Sequence, residues 1–278
     1  SYLWKGKYNQ SIYHRKLPLL NSNEMSYQFP RYNEVGERGS PVMKKESTGK
    51  WALVGLGGRN ASEKETGVLR MSWVGGELCR EVGVCAPPKT KKTNPPPVKQ
   101  VPIVVKPIPP TKKPKTPTVP IRKLTDAENV RRLQTCGKTP IDTPSRDNNP
   151  KVLEQWPHWV SLARTSQQNG SGTALTTMIS PRHFLTSSQV VMDKKTDIFT
   201  WRWNSKSVEE RCKEMNGRVN LEVPEEIVQN IRFFESGKNS TIPVTRAVIL
   251  DYCDKPFDVK VFAQGVMVME IAEDISGD

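Results

Sequence analysis

An all-β fold, a barrel or sandwich of short antiparallel strands, is what the sequence predicts, and three observations predict it. Apolar runs at 159–163, 173–179, 184–191, 231–234, 244–250 and 266–271 are each short and are separated by polar, Gly- or Pro-containing breaks, a spacing that suits strands and turns rather than long helices. Residues 87–121 hold 12 prolines and 8 lysines with no Asp or Glu. Proline lacks a donor, fixes φ and restricts its predecessor, so this stretch forms neither helix nor sheet interior and divides the chain into residues 1–86 and 122–278. Finally, 35% hydrophobic and 7% aromatic residues in 278 are low for one compact globule, which fits a chain with an extended part.

In the first segment, Trp51-Ala-Leu-Val-Gly-Leu reads as a strand after a turn at Gly49, and Gly67-Val-Leu-Arg-Met-Ser-Trp73 leads into a short helix before Cys85. The Pro/Lys stretch is expected to be polyproline II. At ~3.1 Å per residue it reaches roughly 110 Å when extended, and lysine repulsion favours extension. A spacer is its plainest role; Pro107-Ile-Pro-Pro110 has the spacing of an SH3-type ligand as the sharper alternative. In the second segment, Thr125-Asp-Ala-Glu128 is a capping box that opens a short helix stopping near Gly137. The six apolar runs come after it as strands. No tandem repeat of 20 to 50 residues is visible.

The net charge is +13, of which the Pro/Lys stretch carries +8. The basic pI therefore belongs to the tether. With no zinc pattern, RNP-like strand or helix-turn-helix signature beside it, no nucleic-acid partner is expected. The longest apolar runs are too short to span a bilayer, so no membrane partner is expected either. Cys79, Cys85, Cys136, Cys212 and Cys253 show no C-x-x-C spacing. They read as disulfide candidates rather than a zinc or redox site, and no cofactor or metal is expected. Four glycosylation tripeptides, at Asn9, Asn60, Asn169 and Asn239, point with the cysteines to a secreted, extracellular protein.

The motifs resemble those of trypsin-like serine proteases. Trp156-Pro-His-Trp-Val-Ser-Leu162, Gly170-Ser-Gly-Thr-Ala-Leu175 and Ile179-Ser-Pro-Arg-His-Phe-Leu-Thr-Ser-Ser-Gln-Val190 look like the first strands of that fold up to its Leu-Thr-Ala-Ala-His-Cys segment. Gln189 then falls on the catalytic histidine. Gln264-Gly-Val-Met-Val-Met-Glu-Ile271 resembles the strand that begins at the triad aspartate, which puts Gly265 on it. In the first segment, Gly36-Glu-Arg-Gly-Ser-Pro-Val42 resembles the Gly-Asp-Ser-Gly-Gly-Pro nucleophile loop with Arg38 in place of serine. The hairpin at Gly49 and the run at Gly67 look like the hairpin and the last strand that come after that loop in the family. Taken in order, with Cys136-Gly137 and Ser180-Pro-Arg-His183, the motifs look closest to a nematode family of trypsin-like domains of unknown function. The resemblance implies a double β-barrel with short terminal helices, in which residues 1–86 are the C-terminal part of one such domain and 122–278 the N-terminal part, or first barrel, of another. A tandem fragment is the favoured explanation. A circular permutant, in which 1–86 packs against 122–278, is the alternative; against it, only 37 residues precede Arg38, too few by roughly three strands for a complete second barrel.

Triad chemistry needs a hydroxyl nucleophile, an imidazole to take its proton and a carboxylate to fix the imidazole tautomer. Arg38, Gln189 and Gly265 provide none of them, so no catalytic residue is expected and the chain reads as a pseudo-protease that binds an extracellular protein or peptide. An active endopeptidase and an extracellular spacer are the competing classes. Arg38, Gly39 and Ser40 are the binding candidates: the turn at 36–40 could form an anion-binding nest, although Arg38 reads more simply as paired with Glu37 or Glu34. Ser40 with His183 is the nearest substitute for a nucleophile and base; His14 and His158 have weaker claims. Cys79 with Cys85 would close a small loop at the terminal helix, Cys212 with Cys253 would staple the long insertion in the first barrel, and Cys136 would reach a partner in a missing half; spacing alone leaves the connectivity open.

Overall fold

A computed structural model describes residues 2–6, 12–16, 18–24, 26–30, 38–60, 65–87, 121–138, 151–153, 160–165, 172–195, 198–234, 241–255 and 265–275. The first segment contributes β1 (Tyr2–Gly6), β2 (Ile12–Lys16), β3 (Asn21–Ser22), β4 (Ser26–Pro30), β5 (Pro41–Lys45), β6 (Trp51–Asn60) and β7 (Glu65–Arg70), then helix α1 (Met71–Val82). The second begins with α2 (Asp126–Thr135) and β8 (Lys151–Leu153). Strands β9 (Val160–Thr165), β10 (Gly172–Met178) and β11 (His183–Ser187) come next, then a 3-10 turn at Ser188–Val190. The remaining elements are β12 (Met192–Lys195), β13 (Ile198–Trp201), α3 (Val208–Glu214), β14 (Leu221–Glu222), α4 (Glu225–Val228), β15 (Ile231–Phe234), β16 (Thr241–Ile249) and β17 (Val266–Ile271).

The expected all-β class is what the chain adopts. Strands run β16-β15-β9-β10-β11-β17, and β17 pairs back onto β16, closing a six-stranded antiparallel barrel with β14 appended to β16. The other large sheet has the order β3-β4-β7-β6-β5-β1-β2-β8. Its last strand comes from the second segment: Ile12 to His14 pair with Leu153 to Lys151. Four strands, β1 to β4, precede Arg38.

The long apolar runs are explained by burial on both faces. On β11, Phe184 points into the barrel core and Leu185 into a second cluster. On β17, Met267, Met269 and Ile271 line the barrel while Val266 and Val268 face the second cluster. That second cluster spans the two segments: Leu56, Leu69, Val74, Leu78 and Val82 of the first pack with Ile121, Leu185, Val248, Leu250, Val266 and Val268 of the second.

Each helix is placed by its own chemistry. Val74, Leu78 and Val82 recur every fourth residue on α1 and are buried, which aims one face at the second cluster. Gly83, at φ 72°, ends the helix by donating its N–H to Cys79 O at 3.1 Å. The capping box expected at Thr125 and Glu128 is present: Glu128 N–H donates to Thr125 Oγ1 at 3.2 Å and Thr125 N–H to Glu128 Oε2 at 2.7 Å. Disulfides join Cys79 to Cys85 and Cys212 to Cys253, while Cys136 is free and exposed.

Candidate functional site

The turn after β11 sets Gln189 beside the second segment's seam with the first. Ser187 is extended and its hydroxyl accepts from Gln189 N–H. The Gln189 amide is used at both ends: Nε2 donates to Thr173 O at 3.1 Å, and Oε1 accepts from Arg38 Nη1. This polarity assigns the amide orientation, since only the carbonyl end can take a guanidinium proton. Arg38 and Gln189 lie 151 residues apart in sequence. Both are half-buried.

Backbone bonds hold the Arg38 turn. Leu175 N–H donates to Arg38 O at 3.3 Å, Gly39 N–H to Gly57 O at 2.9 Å, and Gly57 N–H to Ser40 O at 2.6 Å. Gly39 has φ 82°, and a Cβ there would lie 2.2 Å from Leu175 O, so only glycine lets the turn approach β10 this closely. The Gly39 donor of the expected anion nest is therefore already used. Glu34, Gly36 and Glu37 lie outside the described residues.

Gly265 completes the group. Ser188 N–H donates to Gly265 O at 2.9 Å, and a Cβ on Gly265 would sit 2.7 Å from Ile249 Cγ2 and 2.8 Å from Ser188 Oγ. The position is at φ 47°. There is no room for a carboxylate side chain unless Ser188 and Ile249 move. Gly265 thus touches the residue before Gln189, and Gln189 bonds Arg38.

The substitute nucleophile and base are not brought together. Ser40 is fully buried and its Oγ has no hydrogen-bond partner among the described residues. His183 is fully buried as well, with Nδ1 2.8 Å from Ser180 Oγ and Nε2 lacking a partner among the described residues. The Ser180 hydroxyl oxygen accepts from the N–H groups of Arg182 and His183, which leaves its own proton to give to Nδ1. His14 lies in β2; His158 lies outside the described residues, as do Asn9, Asn169 and Asn239, and Asn60 is the last residue of β6.

Burial, followed by the charges of Arg182 and Arg122, lowers the His183 pKa to about 4. Glu270, its cross-strand neighbour, is buried but committed to Arg122, accepting from Nε at 2.6 Å and from the backbone N–H at 3.0 Å. The unfolded imidazole titrates near 6.5, so between that pH and about 4 the unfolded chain binds a proton that the folded one refuses. The His183 contribution to stability is therefore flat above about pH 6.5, falls as pH drops, and levels off below about 4. The total loss is about 3 kcal/mol. Denaturant titrations at stepwise pH are expected to show this decline, and His183→Asn to flatten it; an unchanged slope in the variant would contradict the assignment.

The sequence profile of the nematode trypsin-6-like family matches residues 1–85 and 116–278. The chain belongs to that family. No curated protein and no solved structure matches it. What sequence reasoning missed is the Arg38–Gln189 hydrogen bond, because no local signal joins residues so far apart. Among the described residues, no group of three His, Cys, Asp or Glu side chains could hold a metal, and no helix is long and apolar enough to cross a membrane.

Proposed function

We propose that this chain is a secreted, catalytically inactive trypsin-like protease homologue that binds an extracellular protein or peptide. The observation that carries the reading is the Arg38–Gln189 hydrogen bond. A guanidinium has no lone pair with which to attack a carbonyl, and an amide nitrogen is not a base at neutral pH, so neither group substitutes for serine or histidine. The two side chains also occupy each other, with the far end of Gln189 tied to Thr173 O. Two disulfides fit an oxidising compartment.

The reading is tested by incubating the purified, oxidised protein with a fluorophosphonate probe and measuring its intact mass. No adduct is expected, because the Ser40 hydroxyl is buried and has no hydrogen-bond partner among the described residues to take its proton. A stoichiometric adduct that disappears in Ser40→Ala would overturn the proposal and make the chain an active endopeptidase. Binding is tested separately on a peptide array, where Arg38→Ala is expected to weaken retention of any peptide that the parent protein holds.

A further inference from the structure

The two segments meet along a seam that no described disulfide crosses. Cys79 pairs with Cys85 inside the first segment and Cys212 with Cys253 inside the second. We infer that residues 1–86 and 122–278 complement each other within one chain as a single folding unit, closed across a non-covalent seam, with the Pro/Lys tether as their covalent link.

Three glycines mark the seam. Each has a positive φ, and each presses on backbone of the opposite segment. A Cβ on Gly39 would be 2.2 Å from Leu175 O, on Gly83 2.4 Å from Leu124 O, and on Gly137 2.3 Å from Trp51 O. Such approaches are closed to any other residue type. Backbone bonds run beside them: Leu124 N–H to Val82 O and Trp51 N–H to Gly137 O, both at 2.9 Å. Asn220 adds a polar clamp, donating through Nδ2 to Glu77 at 2.7 Å and Glu81 at 2.8 Å, and accepting at Oδ1 from Asp251 N–H. The apolar faces of β11, β16 and β17 that point away from the barrel are covered by α1, β6 and β7. Without the first segment they would be exposed to water.

The tether's ends explain why closure occurs within one chain. The first segment finishes, and the second begins, where Val82 and Leu124 share a hydrogen bond and Cys85 N–H bonds Asn129 Oδ1 at 3.2 Å. The link therefore has no gap to span. Covalent linkage turns the meeting of the two segments into an intramolecular event with an effective concentration on the order of millimolar, which favours closure in one copy over exchange between copies at micromolar protein.

The test inserts a site-specific protease sequence near Gln100 of the full, oxidised chain. Before cutting, light scattering should report a monomer. After complete cutting, both pieces should co-elute at the original mass and separate in denaturant without reductant. Gly83→Ala and Gly137→Ala should each raise the dissociation constant of the cut pair at least about tenfold, and Asn220→Ala should raise it less. Pieces that part on cutting would overturn the inference. So would an uncut dimer, which would mean that segments are exchanged between copies, or glycine variants whose dissociation constant matches the parent's.

Discussion

Replacing Phe233 with alanine is expected to cost about 3–5 kcal/mol of folding stability. The ring is fully buried in the barrel core, its centroid 4.3 Å from that of Phe184 with the planes tilted by 54°. Phe233 lies on β15, which pairs with β9 on one side and β16 on the other. A closed barrel cannot slide its strands inward to fill the space, because each is hydrogen-bonded on both sides, so the cavity term adds to the lost transfer energy. Phe184 also loses its aromatic partner. Domains of this size are stable by only about 5–15 kcal/mol, so the variant should unfold at a much lower denaturant midpoint. A loss below about 1 kcal/mol would show that the barrel is not closed around this ring. The effect should reach the site, since β10, two strands from β15, carries Thr173 and Leu175, which hold Gln189 and the Arg38 turn.

Removing the Cys212–Cys253 disulfide by paired alanine substitution is expected to cost about 4 kcal/mol, and removing Cys79–Cys85 about 2 kcal/mol. The difference comes from loop length: the first bridge joins residues 41 apart and the second residues 6 apart. A longer loop restricts the unfolded chain more. The sulfurs add packing in the same direction, since Cys212 and Cys253 lie against the barrel core. Cys212 sits on α3 and Cys253 lies just after β16, so the bridge ties the excursion between β13 and β16 to the barrel wall. Equilibrium unfolding of both variants under non-reducing conditions checks the ranking; a larger loss for the Cys79–Cys85 pair would refute it.

Elements with local chemistry were legible in the sequence. The capping box at Thr125 and Glu128 specified α2, the Gly49 turn announced β6, and the apolar runs located β9, β10, β11, β15, β16 and β17. The run at 184–191 reads as one stretch, yet it changes from β11 to a 3-10 turn at Ser188, where the Ser187 hydroxyl bonds Gln189 N–H. A side-chain bond of that kind competes with strand geometry without altering apolar content. Strands β1 to β4, β8 and β14 were not legible. Each is five residues or fewer, too short for a period-two pattern to stand out.

For the site, the sequence by itself determined which functional groups stand at positions 38, 189 and 265, a guanidinium, an amide and a glycine without a side chain. Only the tertiary structure decided that Arg38 meets Gln189 across 151 residues and that Gly39, Gly83 and Gly137 each lie against backbone of the other segment. The physical reason is range. Caps, turns and side-chain functional groups act over a few residues, whereas the seam depends on burying apolar faces contributed by both segments, a free energy that no local window of sequence contains.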